Sequence, residues 1–222
     1  ADLEVLSQSF EKIHKMDEGS ATRTIEVQVD KNATLYYYPQ PVIPFAQSAF
    51  DSKMTIHLED ETSRLFLLEI ISCGRTAHDE RFQYRRFSSK VLLYRGDKLI
   101  YRDNTRHEPD KMPMEGIGMY EGYTHMANLF LSKISSRDGE KCGQESGTAE
   151  PADSAINLEL QEKIWQILDE DSEIDGGVTR LTTGDLALRI FGHRAQKLQQ
   201  IAEKIKEIYT SCQINHKSVM NE

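Results

Sequence analysis

Leu65-Phe66-Leu67-Leu68-Glu69-Ile70-Ile71 is an apolar run with one acid inside it. It is followed at once by Ser72-Cys73-Gly74-Arg75 and then by Glu80-Arg81-Phe82. A short apolar run closed by turn residues reads as a strand. A carboxylate among aliphatic side chains costs several kcal/mol unless a cation or hydrogen-bond donors meet it. Gly74 can turn the chain back, so Arg75 is the expected counter-charge. Glu69 is therefore expected to be paired or to face a polar interior space. The alternative is a strand end in contact with water.

The sequence around this run has the same texture as far as residue 134. Thr24-Ile25-Glu26-Val27-Gln28-Val29 alternates cleanly and Asp30-Lys31-Asn32 supplies a turn. Thr34 to Tyr38 is rich in aromatics, and Met54 to Leu58 alternates again before Asp60-Glu61. Phe82 and Tyr84 would share one strand face, with Arg81 and Arg85 on the other. Val91 to Tyr94 and Leu99 to Tyr101 flank Arg95-Gly96-Asp97-Lys98, a hairpin signal. Short strands with turns between them and no intervening helix point to a mainly β fold, either sandwich, barrel or solenoid, and exclude a Rossmann arrangement.

Two further stretches interrupt this pattern. Pro39-Gln40-Pro41-Val42-Ile43-Pro44-Phe45 places three prolines inside a β region, so it should be an edge or a crossing with Val42, Ile43 and Phe45 packed. Gly116 to His125, punctuated by Gly118 and Gly122, should form tight turns before the strand Leu129-Phe130-Leu131.

Residues 135–154 are small, polar and turn-prone and read as a loop. Residues 155–222 read as helix, strand, helix. Asp153 or Ser154 can cap a helix whose apolar stripe is Ile156, Leu160, Ile164, Ile167 and Leu168, with Gly176-Gly177 ending it. Leu186 to Phe191 is strand-like, and Leu198, Ile201, Ala202, Ile205 and Ile208 mark a closing helix over Ala195 to Tyr209. Both stripes are expected to pack on the protein's own sheet in preference to a partner.

With 222 residues, 38% of them hydrophobic, the chain suffices for one domain with a sizeable core. A net charge of −9 argues against a nucleic-acid partner, because phosphate binding needs a basic field. No apolar run approaches the roughly 20 residues that span a bilayer, and no signal peptide is visible. Cys73, Cys142 and Cys212 form no C-x-x-C, which fits free thiols in a reducing cytoplasm. The chain opens on Ala1 with Leu3-Glu4-Val5-Leu6 already alternating, so a natural N-terminal portion is expected to precede it.

No catalytic constellation is present: no G-x-S-x-G elbow, no phosphate loop, no H-E-x-x-H and no dinucleotide glycine run. The seven histidines are scattered without metal-ligand spacing. Cys73 is expected to be buried and inert. A hydrolase would require Glu69, Glu80 and His125 to converge.

In this order, certain residues resemble the urease accessory protein family called UreD or UreH, in its Helicobacter-like form. They are Ser7-Gln8-Ser9-Phe10-Glu11-Lys12-Ile13-His14, Pro39 to Phe45 with Ala49-Phe50, Glu69 with Gly74-Arg75, Glu80 with Phe82, and Gly122-Tyr123-Thr124-His125. The segment from Gly177 to Phe191 and the closing helix also fit. The motif residues carried over are Gln8, Pro41, Phe45, Gly74, Arg75, Glu80, Phe82, Gly122 and His125. The resemblance implies an elongated, β-helix-like stack of short strands with two helices, and a cytoplasmic scaffold that is not an enzyme. It implies binding to a UreF-type accessory protein, through it to a UreG-type GTPase, and delivery of nickel to apo-urease. It further implies no tightly bound cofactor, no nucleic-acid or membrane partner, and nickel only in transit through an internal channel that Glu69 would line. The family's N-terminal strands have no counterpart here, so the first sheet layer should be incomplete. The competing reading is a β-sandwich protein-binding module without a metal role.

Overall fold

The structure is a computed structural model that describes residues 1–135 and 152–219. The expected polar loop lies outside them from residue 136 to residue 151, Cys142 with it, whereas Asp153 and Ser154, expected to cap the first helix, lie within that helix. Twelve strands and two long helices follow one another in chain order among these residues. The first strands are β1 (Asp2–Val5), β2 (Glu11–Ile13), β3 (Ala21–Val29), β4 (Thr34–Tyr37), β5 (Val42–Pro44) and β6 (Ala49–Leu58). Then come β7 (Arg64–Ser72), β8 (Arg86–Arg95), β9 (Lys98–His107) and β10 (His125–Leu131). The C-terminal elements are α1 (Ala152–Asp169), β11 (Ile174–Arg180), β12 (Leu186–Gly192) and α2 (Ala195–Val219).

The first half winds as a two-sheet coil. β1, β4 and β7 stack in parallel, with β2 and β5 extending the same sheet. β3, β6 and β8 stack in parallel in the other sheet. Each turn of the chain thus adds strands to both sheets, which is the β-helix-like arrangement expected. The hairpin at Gly96 then reverses the chain, and β9 pairs antiparallel with β8. β10, β12 and β11 complete the larger sheet, whose main order is β1-β4-β7-β10-β12-β11. The smaller sheet runs β3-β6-β8-β9. β1 and β3 end their sheets, and β2 pairs only with β5.

β7 is buried along its whole length because both of its faces are covered. Phe66, Leu68 and Ile70 pack under α1 and α2, with Leu160, Ile164, Leu198, Ile201, Ile205 and Tyr209. The helical stripes are therefore consumed by the protein's own sheet. Gln199 of α2 is tied to the proline run as well, its Nε2 donating to Gln40 Oε1 at 3.0 Å. On the other face, Leu65, Leu67 and Ile71 meet the smaller sheet.

Two local expectations are corrected, and one open alternative is decided. Gly176 and Gly177 do not end α1; they lie inside β11. A Cβ on Gly176 would stand 2.7 Å from the Arg189 carbonyl oxygen, and the Trp165 ring covers Gly177, so close approach explains both glycines. Phe82 to Tyr84 is not a strand. Phe82 has φ 51° and the segment bends inward, carrying Phe82 and Tyr84 into the same cluster. The proline run is a crossing and not an edge: β5 lies between β2 and β7, meeting β7 only at Val42 opposite Ile71. A three-residue ladder is as much as a segment with so few donors can hold. No helix of the described residues is long and apolar enough to cross a membrane.

Candidate functional site

The space between the two sheets holds two apolar clusters separated by a polar layer. One cluster gathers Met54, Ile56, Leu58, Leu65, Leu67, Val91, Leu93 and Phe130. The other gathers Ile13, Val42, Phe50, Ile71, Tyr84, Phe87, Tyr120 and Met126. Strand register aligns what lies between them. In the smaller sheet Arg23 pairs with Ser52, Ser52 with Ser89, and Ser89 with Thr105. In the larger sheet Glu69 pairs with Asn128, and Asn128 with Arg189. Because inward positions recur every second residue, each of these polar residues except Thr105 is flanked two places either side by apolar ones, while Thr105 stands between Asp103 and His107. The two rows face each other and bond across the gap.

Arg23 is the hub. Its Nη2 donates to Glu69 Oε1 at 3.0 Å, its Nε donates to Ser52 Oγ at 3.0 Å, and its Nη1 bonds Glu11. Ser89 Oγ donates to Glu69 Oε2 at 3.0 Å. Further along, Asn128 Nδ2 donates to Thr105 Oγ1 at 3.4 Å, and Arg189 donates to Asn128 Oδ1 and Asp103 Oδ1, both at 2.9 Å. The layer reaches solvent at both ends: the Glu11 side chain is 34% exposed and that of Arg189 is 50% exposed, while that of Glu69 is 6% exposed. Burial pushes the Glu69 carboxyl above its ordinary range, against the opposing pull of Arg23 and the Ser89 hydroxyl.

Glu69 is thus buried and paired, but its partner is Arg23 and not Arg75. The error has a geometric cause. Glu69 points into the gap between the sheets, whereas the Gly74 turn carries Arg75 out beyond the end of β7. There Arg75 grips Glu80, with Nε donating to Oε2 at 2.8 Å, and stacks on Phe45 with 4.2 Å between guanidinium carbon and ring centre. Glu80 also accepts the Ala46 amide at 3.1 Å, tying the loop to the proline run. Its carboxyl is held at about 2, chiefly by the Arg75 hydrogen bonds. Arg23 could have been found in the sequence. The alternation of β3 places Ala21, Arg23, Ile25, Val27 and Val29 on the inward side, and an arginine in that phase demands an acid.

The remaining motif residues gather at the end of the coil near Gly74. The Pro41 carbonyl accepts the Glu11 amide at 3.1 Å, and the Phe45 amide donates to Ile13 at 2.9 Å. The Phe82 amide donates to the Cys73 carbonyl at 2.6 Å, and the Phe82 ring meets Tyr120 edge-on at 4.9 Å. Gly122, at φ 91°, offers its carbonyl to Arg81 at 3.2 Å. Gln8 is exposed in the turn between β1 and β2, apart from this group. His125 is buried beside Thr124, whose hydroxyl lies 2.8 Å from Nδ1; burial lowers the imidazole to about 4. Glu69, Glu80 and His125 do not converge. No hydrogen bond or ion pair joins them, and His125 lines a cavity with the first residues of α2 on the opposite face of the sheet from Glu69. That removes the hydrolase arrangement. Cys73 is buried, with its thiol pushed up to about 11 by burial. Among the described residues no three His, Cys, Asp or Glu side chains group to hold a metal ion.

His107 supplies a pH test of the aromatic cluster. It is 6% exposed, with Nδ1 3.3 Å from the Tyr84 hydroxyl, and burial holds it near 4 against an ordinary 6.5. A base with a depressed folded pKa contributes stability that is complete above the unfolded value and is lost as pH falls. The window is therefore pH 6.5 to 4, and the loss is roughly 3 kcal/mol. His107→Phe should lose less stability than the parent protein across that window when unfolding is followed by urea titration. Equal losses in both proteins would place His107 in water.

Comparison with known proteins agrees on one family. The family model described as UreD urease accessory protein matches residues 1–221. The chain is 34% identical over 208 residues to the urease accessory protein UreH of Helicobacter acinonychis (strain Sheeba), covering 94% of this chain and 70% of that protein. It is 32% identical over 208 residues to UreH of Helicobacter pylori (strain J99 / ATCC 700824), covering 94% and 69%. To the urease accessory protein UreD of Acetivibrio thermocellus it is 31% identical over 208 residues, covering 94% and 71%.

Proposed function

This chain belongs to the UreD urease accessory protein family, and from that premise we propose that it is the scaffold of a urease-maturation assembly. In this reading it binds a UreF-type accessory protein, gathers a UreG-type GTPase through it, and takes part in passing nickel to apo-urease. The observation that supports the nickel step is the polar layer, which crosses an otherwise apolar interior and reaches solvent at both ends. Its oxygen donors suit a divalent cation in passage: the Glu69 carboxylate, the Ser52, Ser89 and Thr105 hydroxyls and the Asn128 amide oxygen. The Arg23 guanidinium now occupies the place between Glu11 and Glu69 that a cation would contest. Nickel is cargo here and not a resident group.

Co-expression with the UreF-type protein of the same organism, followed by affinity capture, tests the scaffold. A complex is expected. No complex, where another family member captures its own partner under the same conditions, would leave the protein-binding module as the better reading. Glu69→Gln tests the nickel step separately. It keeps the Ser89 bond and leaves Arg23 paired with Glu11, so stability should fall by only about 1–2 kcal/mol. Urease activation in cells carrying all accessory proteins should fall well beyond any loss in the amount of soluble protein. Full activation by Glu69→Gln would remove this residue from the nickel route.

A further inference from the structure

A cavity of about 570 Å³ opens where β2, β5 and the end of β7 meet the start of α2. Its lining includes Lys12, Arg75, His78, His125, His193 and Arg194 and contains no Asp or Glu, although the chain carries a net charge of −9. Two of these cations are unspent. The side chains of Lys12 and Arg194 make no ion pair or hydrogen bond with the described residues, whereas Arg75 is held by Glu80. The first bond of α2 runs from the Leu198 amide to the Arg194 carbonyl at 3.3 Å. The amides of Ala195 and Gln196, both at the cavity wall, precede it and find no acceptor among the described residues. Unpaired N–H groups at a helix start carry a partial positive charge and turn toward anions. The remaining wall is apolar, formed by Phe10, Ile43 and Phe45. The volume is that of a metabolite-sized ligand.

We propose that this cavity binds a small organic oxyanion, a phosphate monoester or a carboxylate, with its charged group between Arg194, Lys12 and the α2 amides and its apolar portion against Phe45 and Ile43. The site lies on the face of the larger sheet opposite the polar layer, and it stands independently of the nickel reading. Any urease-related role would come through ligand-dependent positioning of α2 against the Gly74 loop.

Isothermal titration with inorganic phosphate and with phenyl phosphate, each against chloride at equal ionic strength, tests it. Saturable binding is expected for both, with phenyl phosphate the tighter because it uses the apolar wall. Arg194→Gln and Lys12→Gln, both at exposed positions, should each weaken phenyl phosphate about tenfold, the usual loss of one charge-assisted hydrogen bond. Arg180→Gln, a remote exposed cation on β11, should leave binding unchanged. Absence of saturable binding would overturn the proposal. So would equal weakening by all three substitutions, which would mean diffuse attraction to surface charge.

Discussion

Arg23→Met should cost about 3–5 kcal/mol of unfolding free energy at pH 7, because it leaves the Glu69 carboxylate in an apolar gap with only Ser89 to meet it. The side chains of Arg23 and Glu69 are 17% and 6% exposed, so solvent replaces little of the lost interaction. The effect should also depend on pH in a definite direction. The Glu69 carboxyl is already raised by burial, and Arg23 is its main opposing influence. Without Arg23 it rises further. An acid whose folded pKa exceeds its unfolded value is penalised above the folded pKa and relieved as pH falls toward the unfolded one. The variant should therefore recover stability relative to the parent protein between pH 7 and pH 5. Adding Glu69→Gln to Arg23→Met removes the orphaned charge and should restore more than half of the loss. Urea unfolding of the three variants at both pH values measures all of this. A cost below about 1 kcal/mol for Arg23→Met, with no pH dependence, would mean that water already screens the pair. Such a layer would be a wet passage and not a closed one, so the same measurement bears on how cargo could enter.

Gly74→Ala should destabilise the protein by at least about 3 kcal/mol. At φ 140° the residue occupies backbone space that side chains rarely share, and a Cβ there would stand 2.2 Å from the Glu80 carbonyl oxygen and 3.1 Å from its carbon. Both contacts are with backbone, so no side chain can swing aside. The loop must shift, and with it the Arg75–Glu80 pair and the Phe82 amide bond to Cys73. Gly19 provides the control. It also has positive φ, at 70°, but a Cβ there would meet nothing within 4 Å. Gly19→Ala should cost only the conformational part, about 1 kcal/mol. Thermal unfolding of both variants makes the comparison. Equal losses at the two sites would show that conformation alone, and not the close approach of Glu80, requires Gly74.

Much of the fold is legible along the chain because the physics that sets it is local. The period of two in β3 and β6, the hairpin at Gly96 and the helical stripes before Leu168 and Tyr209 each follow from a window of a few residues. The acid in β7 likewise announces a buried polar partner. What local windows cannot carry is which distant residue that partner is. Glu69 and Arg23 lie 46 positions apart, and their meeting depends on two parallel stacks holding one register across a gap. Nearness in sequence favoured Arg75, but the Gly74 turn leads it away from the gap toward Glu80. The glycines of β11 follow the same logic: a strand crowded by Arg189 and Trp165 needs them, although in sequence they resemble a helix end. The strands, the helices and the demand for a buried counter-charge come from the order of the residues, because desolvation and side-chain periodicity act over short stretches. The alignment of polar residues into one layer, and the acid-free cavity at the start of α2, arise from the packing of the two sheets, because each brings together side chains from segments far apart in the chain.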